Sequence, residues 1–407
     1  MNGKGNKLRA YFDHAATSPM PEEVLAAYTT ALRAVGNPAS QHADGQRTRE
    51  ILEAAREKLA RGMAVTPAEV IFTAGGTEAV NLGIKGLYWV RNKDAKRPVI
   101  LAAMAEHNAT IDTVEWLAKT QGAVVQWLPV DSRGYLSPEV LEQHILQHGA
   151  ANIALLTVMW VNNEIGTVQP VPELAALAKQ HGIPTHTDAV AALGHLDIRH
   201  SGVAAMSLSA HKIGGIVSSG ALILARDTQV EALLHGGSQQ RARSGSQDAA
   251  AATAFAAAFE LAHTQWDSKE KHLAQLQQRL ISEIKAIDPT AVLRGATPVA
   301  PQQLQAGQRP PRVYNNVHFT FPGLQGDSLL FLLDMAGVSV STGSACSAGV
   351  IQVSHVMTAI GLSEQEAAGA IRFSYHDRTT EAEVQLLLEA LPAALIAARK
   401  AGYTVAG

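Results

Sequence analysis

Cysteine occurs once in these 407 residues, at Cys346. No disulfide can close within the chain, and no multi-cysteine zinc or iron–sulfur site can be built by it. No metal is therefore expected, and a reducing, cytoplasmic setting is. Long apolar runs are also missing: the longest, 154–161, falls far short of the roughly 20 residues that cross a bilayer, so no membrane partner is expected. Behind Lys4, Lys7 and Arg9 there is no apolar stretch that would make a secretory leader. With a net charge of −3 and no basic stripe, the chain gives no electrostatic reason to expect nucleic acid. Charged residues make up only 17% against 47% apolar, which supplies ample core, and at this length two domains are the default.

What the sequence does have is alternation. The runs 70–73, 99–102, 124–128, 153–160 and 184–187 are apolar or β-prone, as is the stretch ahead of Lys212. Between them, helical periodicity is read from about Ala79 and over 110–119, 136–148 and 171–181. The pattern predicts an α/β fold with a mostly parallel sheet covered by helices on both faces. Ligands of such sheets sit outside the carboxyl ends of the strands, and Thr77, His107, Asn163, Asp188 and Lys212 all fall at those ends. Earlier, a helix opens at Pro21-Glu22, 36–40 reads as a plain punctuated loop, and 44–59 is helical. Later come helices over 248–261 and 268–287, a Pro/Gln-rich excursion at 297–311, a strand at 317–321 whose alternation suggests half exposure, and a helix at 327–335.

Lys212 opens a glycine-rich turn behind Ser207-Leu208-Ser209-Ala210-His211, and Asp188 ends a β-prone run 24 residues before it. A lysine captures an aldehyde only when its amine is partly neutral, which burial at a strand end achieves. A pyridine-ring cofactor needs a lysine at its aldehyde and an acid at its ring nitrogen, and Lys212 and Asp188 are that pair. The Gly75-Gly76 pair at a strand-to-helix turn presents bare N–H groups and a positive helix end, which suits a phosphate, although such turns also occur without a ligand. His107 can stack on a ring face; capping or surface exposure is its other reading.

Cys346 stands in Ser344-Ala345-Cys346-Ser347-Ala348-Gly349, among small residues rather than the bulky neighbours of a core filler, so it reads as a nucleophile or sulfur carrier. Arg372 interrupts the apolar strand 370–374 and needs an anionic partner, either a substrate carboxylate or a structural one. The polar loop 235–246 reads as solvated.

The stretches "FDHAAT", "GNPAS", "FTAGGTEAVNLGIKG", "EHNA", "VNNEIGTVQP", "HTDA", "HK", "HGG…RSGS", "STGSACSAG" and "IRFS" resemble the cysteine desulfurases of the NifS/IscS type, within the class V aminotransferases that use pyridoxal 5′-phosphate. The similarity runs from about Tyr11 to the C-terminal helix. It implies fold type I: a large domain, 16–262, with a mostly parallel seven-stranded sheet, and a smaller α+β domain, 1–15 with 263–407, carrying the cysteine segment. It implies Lys212 as cofactor anchor, Asp188 as pyridinium partner and His107 as stacking residue and proton relay. Gly76, Thr77, Ser209 and His211 would hold the phosphate, with Ser246 reaching it from the second copy of a homodimer. Asn163 would stand near the ring hydroxyl and substrate, Arg372 and Asn37 near the substrate carboxylate, and Cys346 would carry a persulfide. The implied reaction takes sulfur from L-cysteine, leaves L-alanine, and passes the sulfur to an acceptor protein of iron–sulfur, thio-cofactor or tRNA assembly. Selenocysteine lyase, an aminotransferase of the same fold, or a weakly active sulfur-transfer binding partner are the alternatives. The chain departs from the family pattern at Ala191, where relatives carry glutamine, at Ala210, at Ile216-Val217-Ser218-Ser219, and in a phosphate loop one residue shorter that ends in Ser246.

Overall fold

The structure, a computed structural model, describes residues 9–237, 239–264, 266–343 and 353–402. Cys346, the expected sulfur carrier, lies outside the described residues. The first part of the chain runs β1 (Ala10–Tyr11), α1 (Glu22–Leu32), α2 (Ala43–Met63), β2 (Val70–Thr73), α3 (Gly76–Arg91), β3 (Val99–Ala103), α4 (Asn108–Gln121), β4 (Val124–Leu128) and α5 (Pro138–His148). It continues with β5 (Ile153–Thr157), α6 (Val171–Gln180), β6 (Thr185–Asp188), β7 (Ala205–Ser209), β8 (Gly220–Leu224), α7 (Ala249–His263) and α8 (Trp266–Ile287). The remainder is β9 (Val292–Leu293), β10 (Asn316–Thr320), α9 (Gly326–Met335), β11 (Val338–Ser339), α10 (His355–Ala359), α11 (Glu364–Ala367), β12 (Ala370–Ser374) and α12 (Glu381–Ala401).

Seven strands form one sheet in the order β2-β8-β7-β6-β5-β3-β4, with only β8 running against the rest. β3, β5, β7 and β8 are buried along their whole length, as their nearly unbroken apolar character requires once helices cover both faces. One core, including Leu59, Leu101, Leu156 and Phe255, packs α2 and α7 on one face; another, including Leu82, Ile100, Leu155 and Leu222, packs α3 and α4 on the other. A separate core, with Phe12, Leu280, Phe319, Phe373 and Leu391, joins β1, α8, β10, β12 and α12.

Three sequence expectations change. The helix read from about Ala79 begins at Gly76, because Gly75 at φ +120° turns the chain sharply after β2 and leaves only Ala74 and Gly75 between strand and helix. The strand read over 153–160 ends at Thr157; Val158 and Trp160 still bond to β6 carbonyls, but the backbone then turns at 162–167. β10 alternates as expected yet is buried on both faces. It is the middle strand of β12-β10-β9, and its polar side is covered by the large core's turn, where Asn316 Nδ2 donates to the Glu164 carbonyl at 3.0 Å. Alternation predicts a wet face only where no second layer covers it.

Candidate active site

The carboxyl ends of β2, β3, β5, β6 and β7 share one rim, because these strands run in the same direction. A cleft of about 950 Å³, counting its open mouth, lies there, and Gly76, Thr77, His107, Asn163, Asp188, Ser209, His211, Lys212 and Arg372 all line it. The rim thus gathers nine of the residues singled out in the sequence. Asn37 is not among them: its Oδ1 accepts from the Ala39 N–H at 2.9 Å, and it borders a different surface cavity with Arg49, Gln239 and Gln247. Ser246 is exposed on a loop tied to its own chain by Gln240, which bonds the Phe72 backbone, and by Arg243, which pairs with Glu78 at 2.9 Å.

Lys212 follows β7 through a short 3-10 turn, and its Nζ donates to the Ala15 carbonyl at 2.6 Å and the Ala16 carbonyl at 3.0 Å. Burial and the nearby Arg372 charge lower its amine to about 8, against the opposing pull of Asp188 and Asp13. An amine so placed is partly neutral near physiological pH.

Asp188, the last residue of β6, is 4% exposed. Its Oδ1 accepts from the Val190 N–H at 2.9 Å. Burial pushes its carboxyl up, while His107, that N–H and Lys212 hold it down. His107 serves as the N-cap of α4, its Nδ1 accepting from the Ala109 N–H at 3.0 Å. The capping reading and the cavity reading are therefore both met by one ring. With Nδ1 an acceptor, the neutral ring carries its proton on Nε2. The ring is open to the cleft, yet the protein around it displaces enough water to lower its pKa, with Lys212 and His355 adding and Asp188 opposing.

At the other end of the cleft, α3 presents its N-terminus. A Cβ on Gly76 would lie 2.8 Å from Val190 Cγ2 and 3.2 Å from Ser209 Cβ, so only a glycine lets the helix start this close to the β7 end. Arg372 reaches in from β12: Nη2 donates to Asp13 Oδ1 at 2.6 Å, Nη1 to the Asn163 carbonyl at 2.9 Å, and Nε has no partner. One structural carboxylate is thus present, at Asp13.

Sequence reading passed over four contributors. Asp13 and the Ala15 and Ala16 carbonyls stand nearly 200 residues or more from their partners and carry no local signal beyond the strand-to-turn break. Glu106, wholly buried before His107, accepts from the Met159 N–H at 2.6 Å, and burial raises it to about 8, with Asp188 adding to the rise. A second small cavity lies on the far side of Lys212, bordered by His195, Trp266, Glu270 and His376, and receives none of the other rim residues.

The class-V aminotransferase family description matches residues 10–387. An IscS-like cysteine desulfurase of Mycobacterium tuberculosis is 42% identical over 403 residues, covering 98% of this chain and 99% of that one. The chain belongs to the class-V aminotransferases. A solved NifS-like protein of this kind superimposes with a TM-score of 0.84 at 31% identity, covering 96% of this chain and all of that one. Another, SspA, solved in complex with cysteine, gives 0.73 at 28% identity over 91% of this chain.

Membership in the class-V aminotransferases implies pyridoxal 5′-phosphate, and the residues fit it. A buried carboxylate and a partly neutral amine face one cleft, and the start of the 16-residue helix α3 beside Ser209 and His211 offers an anion cradle that a Cβ at Gly76 would fill. Among the family departures, Ala191 lines the cleft and Ala210 is buried, its Cβ 2.7 Å from where a Cβ on Gly215 would stand. Among the described residues no helix is long and apolar enough to cross a membrane, and no cluster of three or more His, Cys, Asp or Glu suits a metal.

Proposed function

We propose that this chain is a cysteine desulfurase: it takes sulfur from L-cysteine, releases L-alanine and carries the sulfur as a persulfide on Cys346 for an acceptor protein. The observation that carries the reading is the Lys212 amine, lowered to about 8, facing the same cleft as the buried Asp188 carboxylate. Pyridoxal 5′-phosphate, when bound, supplies an aldehyde for the substrate amine and a ring that draws electrons from Cα. Gly76 and Thr77 offer backbone N–H groups to its phosphate, Ser209 and His211 add side chains, and the exposed Ser246 serves a second copy of the chain in a homodimer. Asp188 would hold a proton at the ring nitrogen, His107 would stack on the ring, and Asn163 would serve the ring hydroxyl.

Lys212, when neutral, takes the Cα proton, and His107 Nε2–H relays protons at the same rim. Arg372, with its unpartnered Nε, serves the substrate carboxylate. The Cys346 thiolate attacks the substrate sulfur: an S–S bond forms, the C–S bond breaks, and the carbon, after gaining a proton, leaves as alanine. The division at about residue 262, the cytoplasmic setting and the sulfur acceptor belong to the same proposal. Incubating the purified protein with L-cysteine and dithiothreitol tests it. Alanine and sulfide should appear in equal amounts, and Cys346→Ser should abolish both. Keto acid formation without sulfide would make it an aminotransferase instead.

A further inference from the structure

The turn after β5 faces two ways. Asn162 fixes it: Oδ1 accepts from the N–H groups of Glu164 at 2.9 Å and Ile165 at 3.0 Å, while Nδ2 donates to the Ala105 carbonyl at 3.0 Å. Held this way, Asn163 lines the cleft and Glu164 is buried on the opposite side, outside the cleft lining. The Glu164 carbonyl also accepts from Asn316 Nδ2, so rotating the turn would break bonds to both the β3 end and β10.

The Glu164 carboxylate meets two residues far apart in sequence. Ser354 Oγ donates to Oε2 at 2.6 Å. A Cβ built on Gly343 would lie 2.9 Å from the same oxygen, and Gly343 has φ +84°, so that position takes glycine on both counts. Gly343 and Ser354 flank the segment that contains Cys346. Gly343 is held in turn by Ser341, whose Oγ accepts from its N–H at 3.1 Å and whose backbone pairs with Arg372.

On the other flank, Ser354 caps α10, accepting from the Val356 N–H at 3.1 Å, and His355 Nε2 donates to the Glu106 carbonyl at 2.6 Å. This flank is therefore tied to Glu106 and Glu164, the immediate neighbours of His107 and Asn163. Met357 and Ile360 of the same region pack on Ala105 and Ile165, which adds apolar contact to the two polar ties.

We propose that Glu164 is a positioning residue: its carboxyl group bonds the Ser354 flank of the Cys346 segment and packs against the Gly343 flank, setting both against the turn that presents Asn163, and so sets how Cys346 meets the substrate sulfur. This rests on the desulfurase reading above. Lys212, Asp188 and the α3 N-terminus make no hydrogen bond to Glu164, so removing its acceptor oxygens leaves proton removal at Cα intact while sulfur transfer suffers.

The test uses the cofactor-loaded full chain at saturating substrate, with Glu164→Leu, which removes the acceptor oxygens, and Ser354→Ala, and cofactor absorbance as the check that the variants fold. Two rates are compared: deuterium exchange at Cα of L-alanine, which needs no thiol, and sulfide release from L-cysteine with dithiothreitol. Exchange should stay within about twofold of wild type, while sulfide release falls about tenfold or more, since small misplacements of a reacting group cost rate of this order. Ser354→Thr, which keeps the hydroxyl, should restore sulfide release. Equal loss of both rates, or retention of both, overturns the positioning role. A wild-type protein that exchanges alanine but yields no sulfide overturns the desulfurase reading and this role with it.

Discussion

Arg372 donates to Asp13 at 2.6 Å inside the cleft that holds Lys212, so the guanidinium expected to grip a substrate carboxylate already has a partner within the chain. Arg372→Ala should raise the KM for L-cysteine about tenfold to a hundredfold, the range for losing bonds worth ~1.5–3 kcal/mol to a charged group. Turnover of cysteamine, which lacks the carboxylate, should fall much less, by no more than the loss of neutral Lys212 amine that removing Arg372 causes. Steady-state kinetics with both thiols checks this, and an equal loss on cysteamine would remove Arg372 from substrate recognition.

The Lys212 amine is lowered to about 8 by burial and by Arg372, against Asp188 and Asp13. At pH 7 that leaves about one amine in ten neutral, far more than for an ordinary lysine. In cofactor-free protein the acylation rate of Lys212 should follow a titration near 8. Arg372→Ala should move that midpoint up and Asp188→Asn move it down. A midpoint above 10 would contradict the environment described.

His107 has two separable jobs. His107→Ala removes both the α4 cap and the ring, while His107→Asn keeps a capping acceptor and loses only the ring. Thermal melts of cofactor-free protein should show a loss of ~1 kcal/mol for alanine and much less for asparagine. Cofactor titration should show weakened binding in both. Equal melts for the two variants would mean the cap contributes nothing.

Glu106 is wholly buried and raised to about 8, so the folded state keeps its proton from the ordinary carboxyl range up to about pH 8. The unfolded chain releases that proton earlier, so stability falls as pH rises from about 4.5 to 8 and then levels. Glu106→Gln, permanently neutral, should be the more stable protein at pH 8, by on the order of 4 kcal/mol, and should match wild type near pH 4. Urea melts across that range measure the difference; a gap that did not change with pH would place the group outside this account.

The strand ends were legible because fully buried strands leave unbroken apolar runs whose terminations are easy to see, and five polar residues stood at five of them. That Lys212, Asp188 and Gly76 share one cleft could be read from the strand ends at which they fall. Partners across the chain could not: Asp13 meets Arg372 over 359 positions and Glu164 meets Ser354 over 190, and no local pattern encodes such pairings. The two-sided burial of β10 was hidden for the same reason, since its cover comes from the turn at Glu164 and not from its own neighbourhood. Asn37 entered through family resemblance alone, and in this structure it stands at a separate surface.

The central claim is that the Lys212 amine anchors the cofactor opposite Asp188. Reducing the yellow holoprotein with borohydride and mapping its peptides by mass spectrometry tests this directly. The account predicts one phosphopyridoxyl adduct, on the peptide containing Lys212, and none in Lys212→Ala. An adduct on another lysine, or no adduct on a protein that still consumes L-cysteine, would contradict it.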